Sequence, residues 1–282
     1  MRIIRTVHEV RVAVAEARAA GRIVGLVPTM GAFHAGHLSL MQAARTQADL
    51  VVVSLFVNPT QFATGEDLSA YPRDEQRDAD MARGEGVDIL FAPAPAEVYP
   101  DGFSTTIHVS GITDVLCGAT RGPQHFDGVA TVVAKLLGMV APDVAFFGQK
   151  DAQQVLVVRR LVRDLDIPVR IEACPIVREP DGLAMSSRNV YLDPAARVQA
   201  AALQRALAAA DAAAKVGERD AAVLVAAAAT VLADAGIEPE YLELRATDDL
   251  RLLERVEDEG LLAVAARVGG ARLIDNLVLR PN

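Results

Sequence analysis

The chain has no tryptophan, two cysteines and five histidines among its 282 residues, and aromatic side chains make up only 4% of it. Each scarcity excludes something. Cys117 and Cys174 lie far apart and form no C-x-x-C, which speaks against a disulfide framework or a thiolate metal cage and favours two buried, reduced thiols. No uncharged apolar run reaches the roughly 18 residues that a bilayer span requires. The opening MRIIRTVHEV breaks its apolar residues with charges, unlike a secretory signal, so a cytoplasmic protein with no membrane partner is expected. Extended positive surface is missing as well. The formal net charge is −9, which argues against a nucleic-acid partner, whereas a small polyanion needs only a few local cations and N–H groups.

What the chain does have is an alternation of strand-like and helical stretches. Arg22 to Val27 (RIVGLV) reads as a buried strand, followed by Leu50 to Pro59, Val87 to Pro93, a strand before FGQKD, a helix from Ala152 to Leu165, and a strand after Pro168. This order predicts an α/β protein with a Rossmann-like, doubly wound parallel sheet. The character changes near Val177. An alanine-rich pair of helices runs from Pro194 to Gly236, broken around Gly217, and strands follow at 241–246, 261–268 and 271–279, the last two joined at Gly269-Gly270. Residues 1–176 are therefore expected to form a nucleotide-binding and catalytic domain, and residues 177–282 a smaller α+β C-terminal domain.

Chemistry-bearing residues cluster just after the expected strands. In PTMGAFHAGHLSL (28–40) two histidines flank a glycine where a strand gives way to a helix, expected from about His37 to Gln47. Gly31 and Gly36 let the loop turn tightly, and the unpaired N–H groups of a first helical turn favour an anion by roughly 0.3–1 kcal/mol. His34 and His37 would face that anion. For either alone, a core or solvated histidine is the commoner meaning; metal binding ranks third, since no further ligand lies nearby. Asn58 and Gln61 in FVNPTQF suit a small polar substrate or an ordinary capped turn. Gly148, Lys150 and Asp151 in FGQKD suit phosphate and ribose, or a solvated ion pair. Of Gln153 and Gln154, one should point to the sheet edge. Met185 to Asn189 (MSSRN) offer hydroxyls and a guanidinium, or a capping turn. In RGPQHFDGVATVV, Arg121 and His125 precede an apolar helix, with structural and functional meanings evenly weighted.

PTMGAFHAGH, FVNPTQF, FGQKDAQQ and DGLAMSSRNVYL, in this order, resemble the pantothenate synthetase (pantoate:β-alanine ligase) family over Arg22 to Asp193, and YLELR and LIDN continue the likeness to the C-terminus. The family belongs with class I aminoacyl-tRNA synthetases in the nucleotidyltransferase superfamily, so HAGH resembles their H-I-G-H signature and MSSR their K-M-S-K-S loop. The resemblance implies ATP-dependent condensation of pantoate with β-alanine through pantoyl adenylate, releasing pyrophosphate and AMP, with Mg²⁺ accompanying ATP and a homodimeric assembly. It implies that Met30, Gly31, Ala32, Phe33, His34, Ala35, Gly36 and His37 line the nucleotide, with His37 as proton donor. Gly148, Gln149, Lys150 and Asp151 would hold ribose and phosphate, and Val177 with Met185, Ser186, Ser187 and Arg188 would close over them. The residues expected to carry the chemistry are His34, His37, Lys150 and Arg188. Gln61 and Gln154 would bind pantoate, Gln61 also lying by β-alanine, with Asn58 assisting.

No metal ligands are assigned, although the acidic stretch from Glu66 to Asp80 could help hold Mg²⁺. Two departures stand out. Gln149 occupies a usually acidic position, and RGPQH is one residue longer than the family's R-P-x-H-F, so no role is carried onto Arg121 or His125. The rival readings are a nucleotidyltransferase acting on a phosphate, against which FVNPTQF argues, and a non-catalytic nucleotide sensor, against which the presence of all four key residues argues. A tRNA synthetase is disfavoured by the lack of a basic anticodon-binding extension.

Overall fold

A computed structural model of the chain describes residues 1–62, 68 and 71–281. The first part runs β1 (Arg2–Ile4), α1 (Val7–Ala19), β2 (Val24–Thr29), α2 (Ala35–Gln47), β3 (Leu50–Leu55), α3 (Glu75–Gly84), β4 (Ile89–Phe91) and α4 (Pro95–Val98). It continues through α5 (Cys117–Arg121), α6 (Pro123–Val140), β5 (Val144–Gly148), α7 (Ala152–Asp164) and β6 (Arg170–Cys174). Then come α8 (Pro194–Ala200), α9 (Ala202–Lys215), α10 (Ala221–Asp234), β7 (Pro239–Arg245), β8 (Gly260–Val268) and β9 (Ala271–Leu279).

Strands β1 to β6 form one all-parallel sheet in the order β1-β4-β3-β2-β5-β6. Because β3 is apolar at consecutive positions, it can be covered on both sides: Val52 joins the core shared with α1, α6 and α7, while Val51 and Val53 join the one shared with α2 and α3. The chain winds outward from β2 through β3 to β4, then returns to start β5 on the other side of β2. That reversal opens a crevice beyond the carboxyl ends of β2 and β5. The HAGH segment follows β2 directly, and the FGQKD segment ends β5.

Strands β7, β8 and β9 form a separate antiparallel sheet, with β8 and β9 joined at Gly269-Gly270 as expected. Alternation along β8 divides its side chains: Leu262, Val264 and Ala266 pack with Leu203, Leu207 and Leu224 of α9 and α10, while Leu261 and Ala263 join the core of the large sheet. The small sheet is therefore a middle layer, packed on both faces.

Three sequence expectations shift. The strand expected at 22–27 lies at 24–29 and includes Pro28, opposite Ser54. Helix α2 begins at Ala35, with His34 as its N-cap, two residues before the expected start. The alanine-rich pair is three helices: α8 and α9 are separated at Ala201, and the Gln199 amide ties the end of α8 to the carbonyls of Ala235 (3.0 Å) and Gly236 (3.1 Å) beyond α10.

Candidate active site

Thr29 closes β2 by donating its hydroxyl to the Ser54 carbonyl (2.6 Å), and the chain then turns through Gly31 (φ +86°) and Ala32 (φ +52°). A carboxylate holds this turn: Asp78, buried on α3, accepts from the N–H groups of Ala32 and Phe33, both at 2.8 Å. A side chain at position 31 would lie 2.7 Å from Leu55 Cδ1 and 2.9 Å from Asp78 Oδ2, so glycine is required by space as well as by φ. Phe33 is 1% exposed and anchors the loop in the apolar layer between the sheet, α2 and α3. Gly31, Ala32, Phe33 and Ala35 therefore build the loop without lining the cleft, whereas Met30, His34, Gly36 and His37 do line it.

At the N-terminus of α2, His34 Nδ1 accepts from the Gly36 N–H (3.1 Å), so the neutral ring carries its proton on Nε2 and can donate there. The rings of His34 and His37 lie 4.2 Å apart. Burial, reinforced by the charge of Lys150, lowers the His34 pKa to about 4. Burial, then His34 and Lys150, lowers His37 to about 3. Both imidazoles are thus neutral at pH 7. His37 Nδ1 is buried without a hydrogen-bond partner, an arrangement that typically costs about 1–3 kcal/mol.

Across the crevice, Gly148, Lys150 and Asp151 face the cleft from the end of β5. Their turn is held from β9: the Asn276 amide donates to the carbonyls of Gln149 (2.9 Å) and Lys150 (3.0 Å). That contact gives LIDN its structural purpose. The Gln149 side chain borders a different surface depression, with Arg159 and Arg280, so it lies outside the cleft. Of the glutamine pair, Gln154 lines the cleft. Gln153 is structural, accepting from the Cys117 N–H (3.0 Å) and donating to the carbonyls of Ile112 (2.8 Å) and Val115 (2.7 Å).

Gln61 and Asn58 also line the cleft, but Asn58 is 1% exposed and engaged by the protein. It donates to the Gly128 carbonyl (3.1 Å) and accepts from the Tyr99 hydroxyl (2.8 Å), so the capped-turn meaning accounts for it. Gly128 permits this close approach, since a Cβ there would meet the Thr60 carbonyl oxygen at 2.5 Å. Val129, Val132 and Val133 of α6 give the cleft an apolar wall. The sequence showed the helix as apolar without showing that one stripe of it faces a ligand.

Val177 and Met185 to Arg188 complete the cleft from the segment after β6. Here the capping and functional meanings coincide: Ser186 Oγ accepts from the Arg188 N–H (3.2 Å) at the start of a 3₁₀ turn, and buried Asn189 donates to Glu179 (2.6 Å). Arg121 and His125, to which no role had been carried, line the cleft as well.

The side chains His34, His37, Lys150 and Arg188, distant in sequence, thus border one cavity of about 250 Å³. A second cavity of about 330 Å³ shares Arg121, His125, Lys150 and Arg188 with it. Asp151 is the sole carboxylate among the described residues of the first cavity, so the site is electropositive within an acidic protein.

The family described as pantoate-β-alanine ligase matches residues 2–278. The chain belongs to the pantoate-β-alanine ligase family. A pantothenate synthetase of Moorella thermoacetica is 52% identical over 283 residues, covering all of both chains, and one of Cereibacter sphaeroides is 55% identical over 98% of each. The crystal structure of pantothenate synthetase from Thermus thermophilus superimposes with a TM-score of 0.95 at 47% identity, covering all of both chains. A pantoate-β-alanine ligase from Francisella tularensis, solved with β,γ ATP and β-alanine, gives 0.80 at 32% identity over 99% of this chain and 97% of that one.

The donor set tests the expected metal. Among the described residues no three His, Cys, Asp or Glu side chains converge as a metal cage. In the acidic stretch, Glu66 and Asp67 lie outside the described residues. Asp74 caps α3, Glu75 pairs with Arg5, Asp78 holds the HAGH turn and Asp80 pairs with Arg83. Those four carboxylates are engaged by backbone or arginine partners, and none of them lines the cleft. Cys117 and Cys174 are both free and buried, and burial pushes the Cys174 thiol up to about 11.

Proposed function

We propose that the cleft at the carboxyl ends of β2 and β5 is where the chain performs its family's reaction. The chain is an ATP-dependent ligase that condenses pantoate with β-alanine to give pantothenate, through pantoyl adenylate, with release of pyrophosphate and AMP. A carboxylate oxygen of pantoate attacks the α-phosphorus and pyrophosphate departs; the β-alanine amine then attacks the acyl carbon and AMP leaves with that oxygen.

The geometry supports the following roles. His34 donates from Nε2 to a phosphate oxygen at the N-terminus of α2. His37, neutral beforehand, gains a proton as the negative triphosphate arrives and passes it to the departing pyrophosphate, a direction set by opposite charge raising a base's pKa. Lys150 and Arg188 offset charge developing on phosphorus from two sides. Met30, Gly36, Gly148, Asp151, Val177, Met185, Ser186 and Ser187 enclose the nucleotide. Gln61 and Gln154 orient pantoate beside the valine wall of α6. The observation that carries the reading is the convergence of these cationic and hydrogen-bonding groups on one crevice beside two glutamines.

Mg²⁺ enters this proposal as a companion of ATP, held by phosphate oxygens and water with Asp151 as the nearby protein carboxylate. The division into a binding domain of residues 1–176 and a closing domain of 177–282, a homodimeric assembly and a cytoplasmic setting belong to the same proposal. Among the described residues no helix is long and apolar enough to cross a membrane. Mixing the protein with ATP, Mg²⁺ and pantoate should yield pyrophosphate, and adding β-alanine should yield AMP and pantothenate. Pyrophosphate release with a different acid or alcohol, and none with pantoate, would overturn the substrate assignment.

A further inference from the structure

Arg121 and His125 form a unit that the mechanism above does not use. Their backbone is firmly placed. Gly118 on α5 packs so closely that a Cβ would lie 1.7 Å from the Thr113 carbonyl oxygen, and Gln153 holds the Cys117 N–H at the start of the same helix. Gly122 (φ +85°) then turns the chain directly into α6. Arg121 Nη1 and His125 Nε2 are 2.9 Å apart, and His125 Nδ1 is 2.9 Å from the Gln61 carbonyl oxygen. A guanidinium can only donate and a carbonyl can only accept, so Nε2 accepts and Nδ1 carries the proton. His125 is thereby fixed as a neutral tautomer linking Arg121 to the backbone of the glutamine beside pantoate.

We propose that Arg121, aimed by His125, receives the carboxylate of β-alanine at the wall shared by the two cavities. The inference rests on the ligase reading above. Two methylenes separate the amine of β-alanine from its carboxylate, so the cation that holds it must stand close to the acyl group under attack. Arg121 meets that requirement through its tie to Gln61, and a guanidinium fork matches a carboxylate in two hydrogen bonds. His34, His37, Lys150 and Arg188 are already assigned to the triphosphate. The adjoining cavity, bordered by Arg121, Tyr241 and Arg272 and sharing Lys150 and Arg188 with the cleft, gives the amino acid an approach to the acyl carbon from the side of the small sheet. His125 is a positioning residue in this scheme, and Arg121 touches the substrate.

The test separates the half-reactions. Arg121→Ala should change pantoate-dependent ATP–pyrophosphate exchange by less than about threefold, while raising the KM for β-alanine by about 10- to 100-fold, the loss expected for a charge-assisted pair. Arg121→Lys, which keeps charge without the fork, should show a smaller rise and covers the case in which the alanine variant does not fold. His125→Gln keeps an acceptor near the Nε2 position and should retain most β-alanine affinity, whereas His125→Asn, too short to reach Arg121, should resemble Arg121→Ala. An unchanged β-alanine KM in Arg121→Ala and Arg121→Lys, equal losses in exchange and β-alanine use, or identical behaviour of the two His125 variants would overturn the proposal. Absence of exchange in the unaltered protein would remove the ligase reading, and this inference with it.

Discussion

The two loops that meet over the expected triphosphate are built in opposite ways. The first, from Met30 to His37, is fixed before any ligand arrives: Asp78 holds two of its N–H groups, Phe33 is 1% exposed, and Gly31 fits only as glycine. The second, from Met185 to Arg188, is half-buried: the Met185 N–H donates to the Val177 carbonyl (3.0 Å), Ser186 caps the turn, Asn189 donates to Glu179, and the chain runs on into Val190 and Tyr191, which are 74% and 41% exposed. The difference assigns them different work. Under the proposed function, a preformed anion site would lower the reorganisation needed at the moment of reaction, and a half-buried loop would close after substrate enters.

The largest effect should come from a cation that neither loop supplies, presented from the end of β5. Lys150→Ala is expected to lower pantoate-dependent pyrophosphate exchange by about 10²–10³-fold, with the circular dichroism spectrum unchanged. A loss of only a few-fold would return Lys150 to the solvated ion pair.

Next comes the pin of the first loop. Asp78→Ala leaves the Ala32 and Phe33 N–H groups unpaired, which should cost about 1–3 kcal/mol for each group in urea unfolding. Ser186→Ala removes one cap on the second loop and should cost about 0.5–2 kcal/mol at most. Equal losses from the two would erase the contrast between the loops.

The third effect is one of pH. His34 and His37 have pKa values lowered to about 4 and about 3, so below the ordinary histidine value near 6.5 the unfolded chain binds protons that the folded sites refuse. Their contribution to stability is complete above pH 6.5 and falls progressively as the pH drops, through about 4 for His34 and about 3 for His37. His37→Gln should flatten that slope in unfolding measured at successive pH values. An unchanged slope would mean that the ring is solvated.

Hydrogen exchange sharpens the comparison directly. A non-hydrolysable ATP analogue should slow exchange across residues 185–191 and leave the amides of Ala32 and Phe33 slow in both states. The smallest change should be Gln149→Glu, expected to alter exchange kinetics by less than about twofold, since that side chain lies outside the cleft.

Much of this was legible in the sequence because its signals are local. The mostly β-branched, apolar run RIVGLV marked a buried strand, and the H-x-G-H that follows it lies at the N-terminus of α2 and borders the cleft. Signals carried by tertiary contacts were not legible. Gln199 ties the end of α8 to residues 36 and 37 positions away, next to a helix break that no glycine or proline marks. Asp78 resembled one more surface acid until α3 placed it under the HAGH turn. Asn58 resembled a substrate ligand, yet Gly128 and Tyr99 occupy its amide. Arg121 and His125 belong to the site through a contact with Gln61 that spans 64 positions, and the longer RGPQH segment had obscured them.

The adenylate path can be followed by labelling. Pantoate carrying ¹⁸O in both carboxylate positions, turned over with ATP and β-alanine, should transfer one label to AMP and leave the other in the amide carbonyl of pantothenate. Label in inorganic phosphate accompanied by ADP, or AMP free of ¹⁸O, would contradict attack of the carboxylate on the α-phosphorus in this cleft.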